Sequence, residues 1–515
     1  MVYIDIYKQY ITVTSLTFSK LLFTLYNFNK QLTTYKLSSV KANYRSKPVL
    51  VSKEDKFFYV IETETPENPN NKNLIRYAKE SLKPLIEYLN SNGIPDSEIK
   101  LTEHEYETYG EFPISINPDY TPRPYQKKYI DKIVNWKDNN ILIDLQTGMG
   151  KTFIAMSAVS EMKKRFSMVV LPRYIDKWIF DITNLTNIEK HEILILKGSK
   201  SILNMLMMPT TDILKYKAII ISLKSIAIFL KEYLTNNLPV AKGITPDNIF
   251  NHLATEVVIN DESHQEFHNV FKLMLFSNVR LFIGLTATLV SNDDDMEKMY
   301  HVLFPDKNRI SNIIPYKKYI TIYAVRYRFQ NRKNIRYKTQ FGYNQATFEA
   351  SLLKHSLIKK NYFNMLKLFL ERAYIKRRDK NDKALIFMGT IDMCNAFINY
   401  AYMDPKFKSL KMNKYTEEDD YDTINTSDVI VSTIGSAGTA LDIPNLITVL
   451  QTVNVDSPQA NIQTLGRLRE VDKPVLFIYF WSSDIRPHGK YHANRIKIFK
   501  PRSKSITAVD YRDML

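Results

Sequence analysis

The sequence predicts an α/β protein: two parallel-sheet lobes in tandem, preceded by a small N-terminal α+β domain. Three observations carry this. Beyond residue 119 short apolar runs alternate with helical stretches, the pattern of a parallel sheet covered by helices on both faces. The alternation starts afresh near residue 384. The chain of 515 residues also exceeds what one hydrophobic core ordinarily organises.

The N-terminal part reads as strand, helix, strand, strand. Residues 11–14, 48–51 and 57–61 have strand character, and residues 18–28 place apolar side chains at a spacing near 3.6. Residues 63–72, with Pro66, Pro69 and three asparagines, read as a turn or loop. Four prolines between residues 113 and 124 mark a linker, so the accessory domain is expected over residues 1–118. The first lobe follows over 119–310, with strands at 141–144, 168–171, 218–222, 257–260 and 281–285. The second, over 311–485, has strands at 384–388, 429–432, 447–451 and 475–480, and residues 486–515 form a basic C-terminal segment.

Apolar residues at 44% and charged ones at 24% are ordinary for a soluble globular protein and exclude a largely disordered or fibrous chain. A net charge of +17 points to a polyanionic partner, nucleic acid or an anionic membrane surface. The most apolar stretch, residues 218–230, is interrupted by Lys224 and is too short to span a bilayer, which disfavours the membrane. With no basic start and apolar signal segment, a cytoplasmic protein is expected. The excess of Lys, Ile, Asn and Tyr fits an AT-rich genome such as a virus carries, in which case the location is the host cytoplasm. The single cysteine, Cys394, rules out an internal disulfide or a multi-cysteine metal site and reads as packing.

Chemistry concentrates in two places. The run Leu145-Gln-Thr-Gly-Met-Gly-Lys-Thr152 lies between a strand and a helical stretch at 153–164. A loop in that position lets backbone N–H groups and a helix N-terminus surround phosphate, an approach that Gly148 and Gly150 permit sterically. Thr147 to Thr152, Met149 included, would cradle a nucleoside triphosphate, with Lys151 on the β- and γ-phosphates and the Thr152 hydroxyl on Mg²⁺. Leu145 stands where Gly or Ala is usual. The second place is Asn260-Asp261-Glu262-Ser263-His264, at the end of a strand. Two adjacent carboxylates there suit ATP hydrolysis, Asp261 toward the metal and Glu262 as the base for the attacking water.

With these two motifs in this order, the chain resembles the superfamily 2 helicases and translocases, over about residues 119–485. The resemblance implies two RecA-like lobes, ATP with Mg²⁺, and further roles. Asp-Glu-Ser-His is similar to the family's Asp-Glu-x-His box, in which His264 links the ATP site to a coupling motif resembled by Thr286-Ala-Thr288. Pro124-Tyr125-Gln126 looks like the adenine-reading motif, with Gln126 and Arg123 as its residues. Thr433 and the run Gly438 to Pro444, including Asp442, resemble motif V, although Ala440 replaces a common glycine. Gln463-Thr-Leu-Gly-Arg467-Leu-Arg469 resembles the arginine-finger motif at a helix start. Its second arginine comes two residues after the first where the family has three, so Arg467 is the expected finger. The small domain before a Tyr-Gln motif is similar to the phage UvsW-like recombination helicases, which implies branched or duplex DNA as partner.

Between residues 316 and 342 the chain has eight basic residues, Arg326, Arg328, Arg332 and Lys333 among them, and no acidic one. Tyr316, Tyr319, Tyr323, Tyr327 and Tyr337 are interleaved, as on surfaces that combine phosphate neutralisation with aromatic contact. A strand pair with a solvated basic face accounts for the same pattern. The basic stretch 486–504 reads as a helix closing the second lobe, a tail on DNA, or both. The expectation is an ATP-dependent DNA helicase or translocase; an RNA helicase and an ATP-switched nucleic-acid clamp are the alternatives.

Overall fold

The computed structural model describes residues 1–32, 36–39, 50–53, 59–63, 73–145, 148–235, 245–287, 294–311, 317–330, 332–340, 342–416, 419–420, 422–437 and 443–511. The chain divides into two compact units: Met1–Leu145, Gly150–Leu289 and Asp293–Ile313 in the first; Gln146–Met149, Val290–Asn292 and Ile314–Leu515 in the second.

In the first unit β1 (Val2–Ile6), β2 (Tyr10–Ser15), β5 (Tyr59–Glu62), β6 (Leu74–Ala78) and β7 (Ile99–Glu103) form a mixed sheet in the order β5-β6-β2-β1-β7. Only β1 and β7 pair in parallel. A separate hairpin joins β3 (Lys36–Ser39) to β4 (Leu50–Lys53). The helix expected at 18–28 is two helices, Phe18–Thr24 and Tyr26–Leu32, which meet at the buried Leu25. Leu21, Leu25 and Phe28 keep the predicted apolar face against Val2, Ile4 and Val13 of the sheet. Most of the loop read at 63–72 lies, from residue 64 on, outside the described residues.

The small domain is fixed to the first large sheet through buried polar contacts. Gln9 Nε2 donates to the carbonyls of Val279 (2.8 Å) and Asn139 (3.3 Å), while its Oε1 accepts from the Val279 N–H (3.0 Å), at the starts of two strands of that sheet. Arg76, 3% exposed, ion-pairs with Glu62 and with both oxygens of Asp247 (2.6 and 2.7 Å), and its guanidinium lies 4.3 Å over the Phe276 ring. Tyr10 and Tyr233 donate to Asp247 and Glu62 at 2.9 and 2.7 Å, which completes a network of two cation-facing carboxylates and two hydroxyls. The proline-bearing segment is equally well held: Phe112 N–H donates to Lys163 O (2.8 Å), Asn117 N–H to Leu185 O (2.9 Å), and Ile116 bridges Thr186.

The large sheet of this unit contains β8 (Asn140–Asp144), β9 (Phe166–Val170), β10 (Ile193–Leu196), β11 (Ala218–Ser222), β12 (Val257–Asn260), β13 (Leu281–Thr286) and β14 (Arg309–Ser311), in the order β10-β11-β9-β12-β13-β8-β14. All its pairings are parallel. β9, β11, β12 and β13 are buried along their whole length, which is why they read as unbroken apolar runs.

The second unit repeats the plan. β15 (Ile320–Tyr327), β18 (Lys383–Met388), β19 (Met412–Tyr415), β20 (Val429–Thr433), β21 (Leu446–Gln451), β22 (Val475–Ser482) and β23 (Ser505–Asp510) form a parallel sheet in the order β19-β20-β18-β21-β22-β15-β23; β16 (Lys338–Thr339) and β17 (Gly342–Tyr343) form a separate short hairpin. The basic C-terminal segment is built into this sheet: the helix Arg486–Phe499 packs on it and β23 pairs with β15. Arg495 is fully buried, donating to Asn461 Oδ1 (2.7 Å), Asn454 Oδ1 (3.3 Å) and Val453 O (2.5 Å), so this member of the basic stretch holds the fold and does not face a partner. Cys394 is buried as expected, its thiol pushed up to about 12 by burial. Among the described residues no helix is long and apolar enough to cross a membrane.

Candidate active site

Three neighbouring strands, β12, β13 and β8, bring the predicted chemistry to one end of the first large sheet. Leu145, just past β8, continues the ladder by donating its N–H to Thr286 O of β13 (3.0 Å). The loop then turns through Gly148 and Gly150, at φ 85° and 80°, a region that glycine enters without steric cost. Gly150 precedes the helix Lys151–Met162, and no side chain caps that helix start. Lys151 Nζ folds back to donate to Leu145 O (3.1 Å) across the loop. Gln146 and Thr147 lie outside the described residues.

Gln126 is nine-tenths buried beside this loop. A Cβ added at Gly150 would stand 2.4 Å from Gln126 Nε2, so a residue larger than glycine does not fit against it. Its Oε1 accepts from the Arg123 N–H (2.9 Å), which makes Gln126 the third residue of a capping arrangement at the start of the helix Pro124–Val134. The Gln126 carboxamide is thus held through its oxygen by the backbone and faces the loop at Gly150 with its nitrogen.

From β12 come Asp261 and Glu262. Asp261, 8% exposed, accepts from Trp178 Nε1 at Oδ2 (2.9 Å) and from the Glu262 N–H at Oδ1 (2.9 Å). Burial pushes its carboxyl up; Lys177 opposes this, Glu262 adds to it, and Lys151 opposes it. Glu262 has φ 50°, a left-handed backbone that costs an L-residue about 1–2 kcal/mol and occurs most often where a site requires it. His264 Nδ1 lies 3.0 Å from Thr286 Oγ1 and 3.3 Å from Glu262 Oε2. Burial lowers the histidine's pKa, and its Nδ1 stands between the Glu262 carboxylate that follows β12 and the threonine ending β13. Thr288 lies outside the described residues.

Sequence reasoning missed Lys177 and Trp178, both on the helix Ile175–Leu185. Lys177 ion-pairs with Asp181 (3.4 Å); burial works against its charge, but Asp261, Asp181 and Glu262 outweigh that and hold its pKa up. A Lys-Trp pair in an amphipathic helix carries no spacing signal of its own, so only the fold identifies it. The donors at hand, two carboxylates and the Thr152 hydroxyl at the helix start, are all oxygen, which suits Mg²⁺ held by one or two carboxylates together with phosphate.

The remaining predicted residues belong to the second unit. Thr433 ends β20, its Oγ1 2.9 Å from Ser436 Oγ; Asp442 lies outside the described residues. Gln463 is on the helix Pro458–Leu465, and the arginines stand past its end, not at a helix start. Arg467 is 3% exposed and donates from Nε to Gln463 O (3.2 Å), and Arg469 bonds to Gly466 O. In the basic stretch the aromatic expectation fails for two tyrosines: Tyr327, at the end of β15, and Tyr337, beyond that strand, are core residues, while Tyr319 and Tyr323 are half-buried. Tyr316 lies outside the described residues. Arg326 pairs with both oxygens of Asp510 (2.5 and 2.7 Å), Arg332 is held by the Tyr337 hydroxyl, and Arg328, Arg332 and Lys333 are exposed.

Residues 119–291 match the family described as "Type III restriction enzyme, res subunit". No curated protein matches the sequence. Among solved structures, the Pyrococcus furiosus Hef helicase domain is 16% identical, covering 73% of this chain and 98% of that one at a TM-score of 0.44. The S. cerevisiae protein Dbp5, bound to RNA and ADP BeF3, is 12% identical, covering 76% and 90% at a TM-score of 0.48. The matched segment, about a third of the chain, contains the glycine-lysine-threonine loop, the Asp-Glu-Ser-His box and Thr286, which the fold brings to adjacent strands of one parallel sheet.

Proposed function

We propose that the chain is a DNA motor of the UvsW-like kind, which spends ATP to unwind or remodel branched or duplex DNA in replication, recombination or repair. The observation that carries the reading is the linked set Lys151, Asp261, Glu262, His264 and Thr286 at the ends of β8, β12 and β13. In this reading Lys151 holds the β- and γ-phosphates, the loop from Thr147 to Thr152 wraps them, and Gln126 with Arg123 receives the adenine. Thr152 and Asp261 hold Mg²⁺, which when bound neutralises charge developing on the transferred phosphoryl group. Glu262 orients the attacking water and takes its proton; His264 passes the state of that acid to Thr286 and Thr288. From the second lobe Arg467, with Gln463 and Arg469, meets the charge of the transition state, and Thr433 and Asp442 couple it to the polymer.

Arg328, Arg332 and Lys333, exposed and basic, contact phosphate in this reading, with Arg326 joining them once released from Asp510. The accessory domain selects branched substrates. In its favour, residues 6–53 contain eight Lys or Arg and no Asp or Glu, and the domain is locked to the first lobe through Arg76. A viral source, with action in the host cytoplasm, is part of the same reading. The test is ATPase activity without polymer, with RNA, with single-stranded DNA, with linear duplex and with a four-way junction. Strongest stimulation by the junction is expected; strongest stimulation by RNA would make the chain an RNA helicase, and no stimulated turnover would make it a clamp.

A further inference from the structure

We propose that Trp178 is a positioning residue for Asp261, fixing the rotation of that carboxylate so that its free lone pairs face a metal ion. The inference rests on the reading of Asp261 as a metal ligand. Trp178 is wholly buried, and its indole N–H reaches Asp261 Oδ2 at 2.9 Å, while the other oxygen, Oδ1, accepts from the Glu262 N–H at 2.9 Å. Each oxygen therefore has a donor of its own, one from the helix Ile175–Leu185 and one from the backbone after β12, and the carboxylate cannot turn without breaking both bonds. An ionised carboxylate has about four lone-pair sites, so two remain for a cation.

The choice of donor matters. An indole N–H donates and does nothing else, so unlike a hydroxyl, imidazole or amide at this place it can neither ligate the metal nor take a proton from the acid pair. One residue earlier on the same helix, Lys177 sets a positive charge toward Asp261 and Glu262 and is itself tethered to Asp181. A tryptophan serving only as core filler would be replaceable by phenylalanine with no consequence at the site. Partners that orient a ligand from outside, by contrast, typically change metal affinity about 10–100-fold when removed.

The experiment uses the full chain with a non-hydrolysable ATP analogue and Mn²⁺ in place of Mg²⁺, free Mn²⁺ being read by electron paramagnetic resonance. Trp178→Phe is expected to weaken Mn²⁺ about tenfold, with binding of the analogue in the presence of a chelator unchanged; Asp261→Asn, the reference, should weaken it at least as much. If D261N leaves Mn²⁺ affinity intact, the assignment of Asp261 fails and the proposal with it. If D261N weakens the metal and W178F does not, Asp261 stands and the role of Trp178 is overturned. Should W178F fail to fold, the indole N–H resonances of the wild-type chain decide, with Trp136→Phe and Trp481→Phe assigning the other two tryptophans. Adding Mg²⁺ to the ADP-bound protein is expected to move the Trp178 signal and leave that of Trp481 in place, and an unmoved Trp178 signal overturns the proposal.

Discussion

Mild acid should loosen the second lobe through a single histidine. His488 is fully buried on the helix Arg486–Phe499; its Nδ1 accepts from the Ser482 N–H (3.1 Å), and its ring sits 4.9 Å from that of Tyr343 and 5.5 Å from that of Phe348. Burial, reinforced by the nearby Arg495 charge, pushes its pKa down from 6.5 to about 3. The sign follows from which state takes the proton. Above pH 6.5 both folded and unfolded chains carry a neutral ring and nothing is lost; below it the unfolded chain is protonated while the folded one stays neutral, so stability falls with pH until the folded value is reached. The slope is about 1.4 kcal/mol per pH unit, which amounts to about 2 kcal/mol between pH 7 and pH 5. Because pH 5 is well above the folded value, that figure is insensitive to a unit of change in it. The consequence reaches the arginine motif, since Arg495 on the same helix holds Asn461 of the helix that leads into Arg467. Urea unfolding followed by the emission of Trp481, the tryptophan of this unit, measures the effect at both pH values for wild type and His488→Gln, whose amide oxygen can still accept from Ser482. The wild type should lose about 2 kcal/mol more than the variant; equal losses would refute the reasoning.

Lys151→Ala should abolish hydrolysis by removing the charge on the phosphates, whereas Glu262→Gln should bind ATP normally and not turn over; near-normal ATPase of E262Q with saturating polymer would show that the base lies elsewhere. Arg467→Ala should slow hydrolysis about 10³-fold or more with little change in nucleotide affinity, and a larger loss in Arg469→Ala would move the finger two residues along. Arg76→Ala leaves both Glu62 and Asp247 without their shared cation, at a cost of about 3–5 kcal/mol. Limited proteolysis should then cut near residue 110 faster than in wild type, and an unchanged pattern would show that Gln9 and its strand-end contacts suffice.

What the sequence determined by itself is what has a local cause. Strands buried on both faces must be apolar throughout, so β8, β9, β11, β12, β13, β18, β20, β21 and β22 were each legible to within about two residues. The place of the glycine-lysine-threonine turn was legible because it joins a strand to a helix through residues consecutive in the chain, and that of the acid pair because it directly follows another strand. Four strands that escaped, β10, β14, β19 and β23, are the outer strands of the two large sheets. Edge strands are short or half solvated, as Met-Asn-Lys-Tyr of β19 and the largely exposed β23 are, and so lack the continuous apolar run. Only the tertiary structure decided matters of distance in sequence. It put Tyr327 of β15 into the core, because that strand lies inside the sheet with a buried cluster against each face. It placed Trp178 and Lys177 on Asp261 across 83 and 84 residues of chain, and tied Arg76 to Asp247 across 171. Such contacts join elements whose sequences carry no record of each other. A buried carboxylate needs some donor and some cation nearby, but which helix supplies them is set by how the sheet and its helices pack.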